Sequence, residues 1–404
     1  MNHALVVTTL ALSACSSGSA SPERRPPPAP RDASADADVS RLAGKPLYVA
    51  LCAPCHGADG KGYAADRAPS LVNPTFLESA SDEFLRRSIA LGRPGTAMAA
   101  YGKASGGPLD AAGVDRLVTF LREQGPPPRP VLAVAAGDVA VGSAIYARSC
   151  FGCHGDARTR GEAPSLANPQ FLAAASDGFV RHAVARGRPG TKMEAFTGKL
   201  TDAELDGVVS YVRALGSAGP PAVTLLPEPT GQEPLVLNPS GKQPRFSLRA
   251  DPCPPPPPPS PPGTTPGLPP GALPGTAPGA PPPCKPDPRF VSVDQVAKAF
   301  AAKQRMVILD ARPPSDWRRV HLAGAVSIPY HDMKRLAELP KDGTWIIAYC
   351  ACPHHLSGIV VDELRKRGYA HAVVLDEGIN DWHHRGFPVT AADGVTRPLS
   401  AVGE

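Results

Sequence analysis

Two runs of the form Cys-x-x-Cys-His carry the most specific chemistry in the chain: Cys52-Ala53-Pro54-Cys55-His56 and Cys150-Phe151-Gly152-Cys153-His154. Two thiols one helical turn apart can each add to one vinyl group of a haem. The adjoining imidazole then sits under the iron as proximal ligand, so the pattern is that of c-type haem attachment. The competing chemistries are a zinc site and a thioredoxin-like thiol pair. Two such runs, each followed by a matching methionine, favour haem.

A third cluster is Cys350-Ala351-Cys352-Pro353-His354-His355. It follows the apolar run Trp345 to Tyr349, expected to be a buried strand, and precedes a helical pattern from Ser357 to Arg367. A cysteine between a strand end and a helix N-terminus faces loop amides and the helix dipole, which stabilise a thiolate or a persulfide anion. Cys350 is the expected nucleophile. Cys352 can take that role instead, or act as a resolving thiol. His354 and His355 can supply positive charge to an anionic substrate when protonated. The paired Cys and His can alternatively bind a metal ion.

The chain that must position these groups has 404 residues, enough for two to four domains. Its 51 prolines concentrate in one stretch, so part of the chain is not globular. The net charge of +5 comes without a basic stripe interleaved with aromatics, and no nucleic-acid partner is expected. Ala4 to Ala14 is apolar and too short to span a bilayer as a helix. It ends Leu12-Ser13-Ala14-Cys15, which resembles the bacterial lipobox and implies a diacylated Cys15, although the n-region offers only His3 in place of Lys or Arg. The expected location is the periplasmic side of a bacterial membrane, lipid-anchored. The alternative is a soluble periplasmic protein after ordinary signal cleavage. With Cys15 lipidated, the odd count of nine cysteines is explained.

Residues 1–15 therefore form the signal peptide and 16–41 a flexible tether. Residues 42–124 form a first folded unit, and 137–215 repeat it after a Pro-rich joint over 125–136. Ala68-Pro69-Ser70-Leu71 returns as Ala163-Pro164-Ser165-Leu166 and Asn73-Pro74 as Asn168-Pro169. Gly92-Arg93-Pro94-Gly95-Thr96-x-Met98 returns as Gly187-Arg188-Pro189-Gly190-Thr191-x-Met193. The haem motifs are offset by 150 − 52 = 98 and the methionines by 193 − 98 = 95, so the second copy is three residues shorter after its motif. Ser81 and the capping box Thr201 to Glu204 are expected helix starts.

Both units resemble class I cytochrome c domains: small, all-helical, with one covalently attached haem each. The resemblance implies His56 and His154 as proximal and Met98 and Met193 as distal iron ligands. It also implies that the Pro69 and Pro164 carbonyls hold the proximal imidazoles and that Leu71 and Leu166 pack on the haem. His182 is a rival distal ligand for the second haem, and ordinary core packing is the alternative role for each Met. With both axial positions filled by protein, the irons would pass electrons rather than bind substrate.

Residues 216–288 read as a Pro-rich linker of polyproline II character, bracketed by Cys253 and Cys284, which can pair or stay free. A strand or two within 232–250 is left open. Residues 289–392 alternate strand and helix patterns, which argues an α/β domain with a parallel sheet, and 393–404 form a tail. This domain resembles the rhodanese-like domains through Leu309-Asp310-Ala311-Arg312, His321-Leu322-Ala323-Gly324-Ala325-Val326 and Glu377-Gly378-Ile379-Asn380-Asp381-Trp382 with Gly386-Phe387-Pro388. Its active loop departs from the family, having two Cys, no Arg and no Gly before Ser357.

The expectation is a multidomain, exported dihaem c-type cytochrome that carries electrons between redox partner proteins, joined to a rhodanese-like domain that handles sulfane sulfur or thiols, with a small sulfur anion as substrate. The alternatives are a plain electron shuttle with an inactive docking domain and a redox-active dithiol at Cys350 and Cys352.

Overall fold

The computed structural model describes residues 38–65, 67–159, 161–216, 224–251, 287–351 and 354–392. The expected signal segment with Cys15, most of the expected tether, most of the Pro-rich linker with Cys253 and Cys284, Cys352 and the expected tail lie outside them. Among the described residues no helix is long and apolar enough to cross a membrane.

The first unit holds α1 (Gly44–Leu51), α2 (Ala53–His56), α3 (Pro74–Leu77), α4 (Asp82–Leu91) and α5 (Ala111–Arg122). Local chemistry sets the helix starts. Asn73 caps α3 ahead of Pro74, Ser81 caps α4 through Phe84 N, and Asp110 caps α5. The second unit repeats the plan with α6 (Val139–Ser149), α7 (Phe151–His154), α8 (Pro169–Ala174), α9 (Asp177–Arg186) and α10 (Asp202–Ala214). Asn168 and Ser176 cap α8 and α9, and Thr201 and Glu204 close the reciprocal capping box of α10.

Helices α6 and α10 cross with their backbones in contact. A Cβ placed on Gly142 would lie 1.9 Å from the Gly207 carbonyl oxygen, and no rotamer change relieves a backbone clash. Gly142→Ala is therefore expected to destabilise the second unit by about 1–3 kcal/mol, the usual cost of overpacking. Thermal unfolding followed at the haem absorbance checks it, and an unchanged midpoint would show that the crossing is looser than this.

The two units face each other across an approximate two-fold. Asn73 Nδ2 donates to Pro189 O at 2.9 Å, and its repeat partner Asn168 donates to Pro94 O at 2.9 Å. Phe84 and Phe179 stack at 4.7 Å, flanked edge-on by Phe76 and Phe171. Arg93 lies over Phe84 and Phe171, and Arg188 over Phe76 and Phe179. Every pair maps onto its counterpart by the 95-residue offset, so an internal duplication has produced a self-complementary interface within one chain.

The last domain is an α/β layer structure. Its order is β1 (Arg249–Asp251), β2 (Asp287–Val291), α11 (Val293–Ala301), β3 (Val307–Asp310), α12 (Pro314–Trp317), β4 (Val320–Leu322), β5 (Val326–Ser327), β6 (Ile346–Tyr349), α13 (His355–Lys366), β7 (Ala372–Leu375), α14 (Gly378–His384) and β8 (Val389–Ala391). The six-stranded sheet runs β1-β2-β7-β6-β3-β5, parallel except for the β1–β2 pair, while β4 and β8 form a separate antiparallel pair. β3, β6 and β7 are buried along their whole length, as a parallel sheet covered on both faces requires.

Residues 224–251, placed with the linker on sequence, pack on this domain. Leu237 bridges Met306, Phe246 meets Trp345 edge-on at 5.2 Å, and Arg249 lies over Phe290. β1 extends the sheet. Proline composition obscured the segment, because its few apolar residues anchor it individually rather than through a periodic run.

Candidate functional site

The two Cys-x-x-Cys-His runs take the same shape. α1 and α6 end where Cys52 and Cys150 break the helix, and α2 and α7 resume for one turn that brings both thiols and the imidazole to one side. His56 Nδ1 hydrogen-bonds Pro69 O at 2.8 Å, and His154 Nδ1 hydrogen-bonds Pro164 O at 2.8 Å. These are the carbonyls the cytochrome resemblance implies. As Nδ1 donates, Nε2 is the lone-pair nitrogen left for iron. Burial lowers the pKa of both imidazoles, only partly offset by the proline carbonyls, which keeps them neutral as ligation requires. Burial also pushes the Cys52 thiol up to about 12 and Cys150 to about 11, so neither is a ready thiolate in the protein alone. Tyr48 Oη donates to Gly57 O at 2.8 Å and Tyr146 Oη to Gly155 O at 2.7 Å, closing the corner after each motif. The residues present thus fit a covalently attached haem in each unit: two thiols, a correctly tautomerised imidazole and a methionine loop.

That loop is built identically twice. Met98 N donates to Thr96 Oγ1 and Met193 N to Thr191 Oγ1, both at 3.1 Å. The carbonyls of Met98 and Met193 accept from Arg93 N and Arg188 N at 2.8 Å. Met98 is half-buried against the core of its unit. Leu71 and Leu166 are likewise half-buried at that core. His182 is corrected as a rival ligand: its Nε2 pairs with Glu78 Oε1 of the first unit at 2.9 Å. It belongs to the contact between units.

In the α/β domain, β6 delivers Cys350 to the strand end, 3% exposed, with Sγ 3.3 Å from Ser357 Oγ in the first turns of α13. His354 takes a left-handed conformation (φ 83) just before α13. Its Nε2 lies 2.6 Å from Asp376 Oδ1 and its ring packs on Phe290. Asp376 also receives Arg249. Burial raises the Asp376 carboxyl, but the hydrogen bonds from Arg249 and His354 outweigh it and the net shift is downward. The His354 ring expected to face a substrate is thereby engaged by Asp376. Among the described residues no group of three His, Cys, Asp or Glu is placed to hold a metal ion.

The other family-like motifs build the scaffold. Arg312 forks onto Asp310 at 2.7 and 3.0 Å, and Tyr349 Oη donates to Asp310 at 2.7 Å. His321 stacks on Trp317 at 4.0 Å, and Trp382 Nε1 donates to Pro388 O.

Sequence reasoning did not foresee that the α/β domain sits on the first haem unit. α13, which follows Cys350, packs against α2, which carries Cys55 and His56. Tyr330 Oη donates to Leu51 O at 2.7 Å, and Tyr101 Oη lies 3.1 Å from the same carbonyl and 3.0 Å from Tyr330 Oη. Ser315 Oγ donates to Ala100 O at 2.6 Å. One legible signal existed: Tyr101 stands where the repeat has Phe196.

Residues 40–121 and 137–212 match the family model described as cytochrome C oxidase, cbb3-type, subunit III, and residues 292–385 match that of the rhodanese-like domain. The chain is 29% identical over 191 residues to the cbb3-type cytochrome c oxidase subunit CcoP of Azospirillum sp., covering 43% of this chain and 61% of that protein. It is 29% identical over 189 residues to subunit FixP of Bradyrhizobium diazoefficiens, covering 44% and 62%. The chain thus spans about three fifths of the length of these curated relatives. A solved rhodanese-like domain from Anabaena sp. aligns at 24% identity over 26% of this chain and 79% of that one, with a TM-score of 0.24. The chain carries two cytochrome c domains with two covalently attached c-type haems, followed by a rhodanese-like domain on a mostly parallel sheet.

Proposed function

We propose that this electron-carrying dihaem cytochrome is exported and draws electrons from sulfur chemistry at Cys350. Cys52, Cys55, His56 and Met98 would hold the first haem, and Cys150, Cys153, His154 and Met193 the second. Each haem supplies a one-electron couple. The chain's own part is to fix the imidazole tautomer through Pro69 and Pro164, to present Met98 and Met193 from the two matching loops, and to exclude water around Tyr48 and Tyr146. The protein works on the periplasmic side of a bacterial membrane, tethered through Cys15, and hands electrons to a redox partner protein.

The observation that carries the sulfur reading is the seating of the rhodanese-like domain on the first haem unit, α13 against α2. A docking module for an external partner has no need to pack its own thiol helix on a haem-attachment helix. At Cys350 the thiolate and a hydrosulfide anion would join through one S–S bond, releasing one proton and two electrons, one to each haem, with Ser357 Oγ beside the sulfur.

The test is the visible spectrum of the oxidised, purified protein before and after addition of hydrosulfide. The sharp reduced spectrum is expected, and Cys350→Ala is expected to abolish it while reduction by dithionite persists. The burial of Cys350 favours a second reading, an electron shuttle whose rhodanese-like domain only docks. Haems reduced by dithionite or a quinol system alone would decide for the shuttle.

A further inference from the structure

We infer that the first haem is the electron acceptor for Cys350 and that Tyr330 is the residue that connects them. The inference rests on the sulfur reading above and adds to it which haem receives electrons and by what route. Tyr349, which precedes Cys350, accepts at its carbonyl from Ala311 N at 3.0 Å. Ala311 accepts at its own carbonyl from Tyr330 N, again at 3.0 Å. The Tyr330 side chain then crosses the domain boundary and donates from Oη to Leu51 O at 2.7 Å. Leu51 is covalently joined to Cys52. Three hydrogen bonds and the intervening covalent bonds therefore lead from Cys350 to Cys52 without a through-space jump, and electronic coupling decays less steeply through bonds than across gaps.

The junction is dry. Leu51, Tyr101 and Tyr330 are 2%, 8% and 4% exposed. Burial holds the Tyr330 hydroxyl well above its ordinary pKa, so its proton stays available to the Leu51 carbonyl at neutral pH. The rhodanese-like domain also grips the chain just after Met98, through Ser315 on Ala100 and Tyr330 on Tyr101. It thus touches the first haem unit beside the attachment motif and beside the methionine loop.

Among the described residues the second unit shows no such junction. The rhodanese-like domain donates to the first unit at Leu51 O and Ala100 O and meets Tyr101 Oη, while the repeat has Ser149 and Phe196 in place of Leu51 and Tyr101. Ala53 is 8% exposed on α2, which packs against α13, whereas its counterpart Phe151 is 40% exposed. One haem unit is covered by the thiol domain and the other remains accessible to an external protein, which sets a direction from Cys350 through the first haem to the second.

For hydrosulfide the step balances with the two haems as oxidant. The Cys350 thiolate and HS⁻ form one S–S bond, giving the Cys350 persulfide anion, one proton and two electrons, one for each ferric iron. The persulfide sulfur then leaves to an acceptor thiol in a non-redox transfer.

The test uses the full-length dihaem protein and hydrosulfide as the probe, comparing Tyr330→Phe with Tyr101→Phe. Tyr101 lies in the same cluster but off the route, since Tyr330 keeps its bond to Leu51 without it. Tyr330→Phe is expected to slow haem reduction severalfold in stopped flow and to slow, equally, the gain of one sulfur on the Cys350 peptide read by mass spectrometry. Tyr101→Phe is expected to leave both rates near wild type, and both variants should keep the midpoint potentials of the two haems. Equal slowing in both variants would mean that the cluster only docks the domains, and no slowing in Tyr330→Phe would remove the route. Made in a Met193→His background, which separates the two haems by potential, the same experiment shows which haem is reduced first; the second haem leading would also overturn the inference. If hydrosulfide reduces neither haem in the wild type, or Cys350→Ala is reduced as fast, the sulfur reading itself fails and this inference falls with it.

Discussion

Exchanging Met193 for His is expected to lower the midpoint potential of the second haem by a few tenths of a volt, within the ~0.8 V range that axial ligands command. A thioether is a weak donor that favours the ferrous iron, whereas a second imidazole favours the ferric state, so His/Met haems sit above bis-His ones. The loop that presents Met193 is fixed at both ends of the residue, by Thr191 Oγ1 on its N–H and by Arg188 N on its carbonyl, so the substituted side chain starts from the same backbone position. Met98→His should do the same to the first haem, because the Thr96 and Arg93 contacts are equivalent. Spectroelectrochemical titration of each variant should show one couple displaced and the other in place. Two unmoved couples in Met193→His would mean that Met193 is a packing residue and that another group occupies the sixth position.

Removing the Asp310 carboxylate is expected to cost the rhodanese-like domain about 3–5 kcal/mol, the penalty for leaving a buried charge without its partner. Asp310 is fully buried and Arg312 nearly so, joined by two parallel hydrogen bonds. Burial alone would lower the Arg312 pKa; the Asp310 charge overrides it and raises it, which is the signature of a guanidinium that needs this carboxylate. The same carboxylate receives Tyr349, the residue before Cys350, so its loss also loosens the strand end that holds the thiol. All three tryptophans of the chain, Trp317, Trp345 and Trp382, lie in this domain, so denaturant unfolding followed by their fluorescence reports on it. Asp310→Ala should shift the midpoint strongly, and the double variant Asp310→Ala with Arg312→Leu should recover much of the loss, since no buried charge then remains unpaired. A shift of under about 1 kcal/mol in the single variant would place the pair in a wetter environment than its geometry indicates.

Much of the architecture was legible because it depends on neighbours in sequence. Ser81, Ser176 and Thr201 start helices because a side-chain oxygen finds an amide three residues on. β6 begins within one residue of the apolar run Trp345 to Tyr349 and ends with it. β4 and β8 were missed: three residues each, paired only with one another, they have no run long enough to show a period. His354 makes a contact that is hidden from the sequence for a related reason. Its charge partner Asp376 is distant in sequence, and nothing local announces that the two meet.

By itself the sequence determined the chemistry of each unit: two Cys-x-x-Cys-His runs, their repeated methionine loops and a cysteine at a strand end, all set by spacings of a few residues. The tertiary structure alone decided how those units face one another. The four phenylalanines at the pseudo-two-fold, the seating of α13 on α2 and the Tyr330–Leu51 bond join residues scores to hundreds of positions apart. Such contacts are chosen by the match of two finished surfaces, and shape complementarity leaves no periodic mark on either stretch of chain.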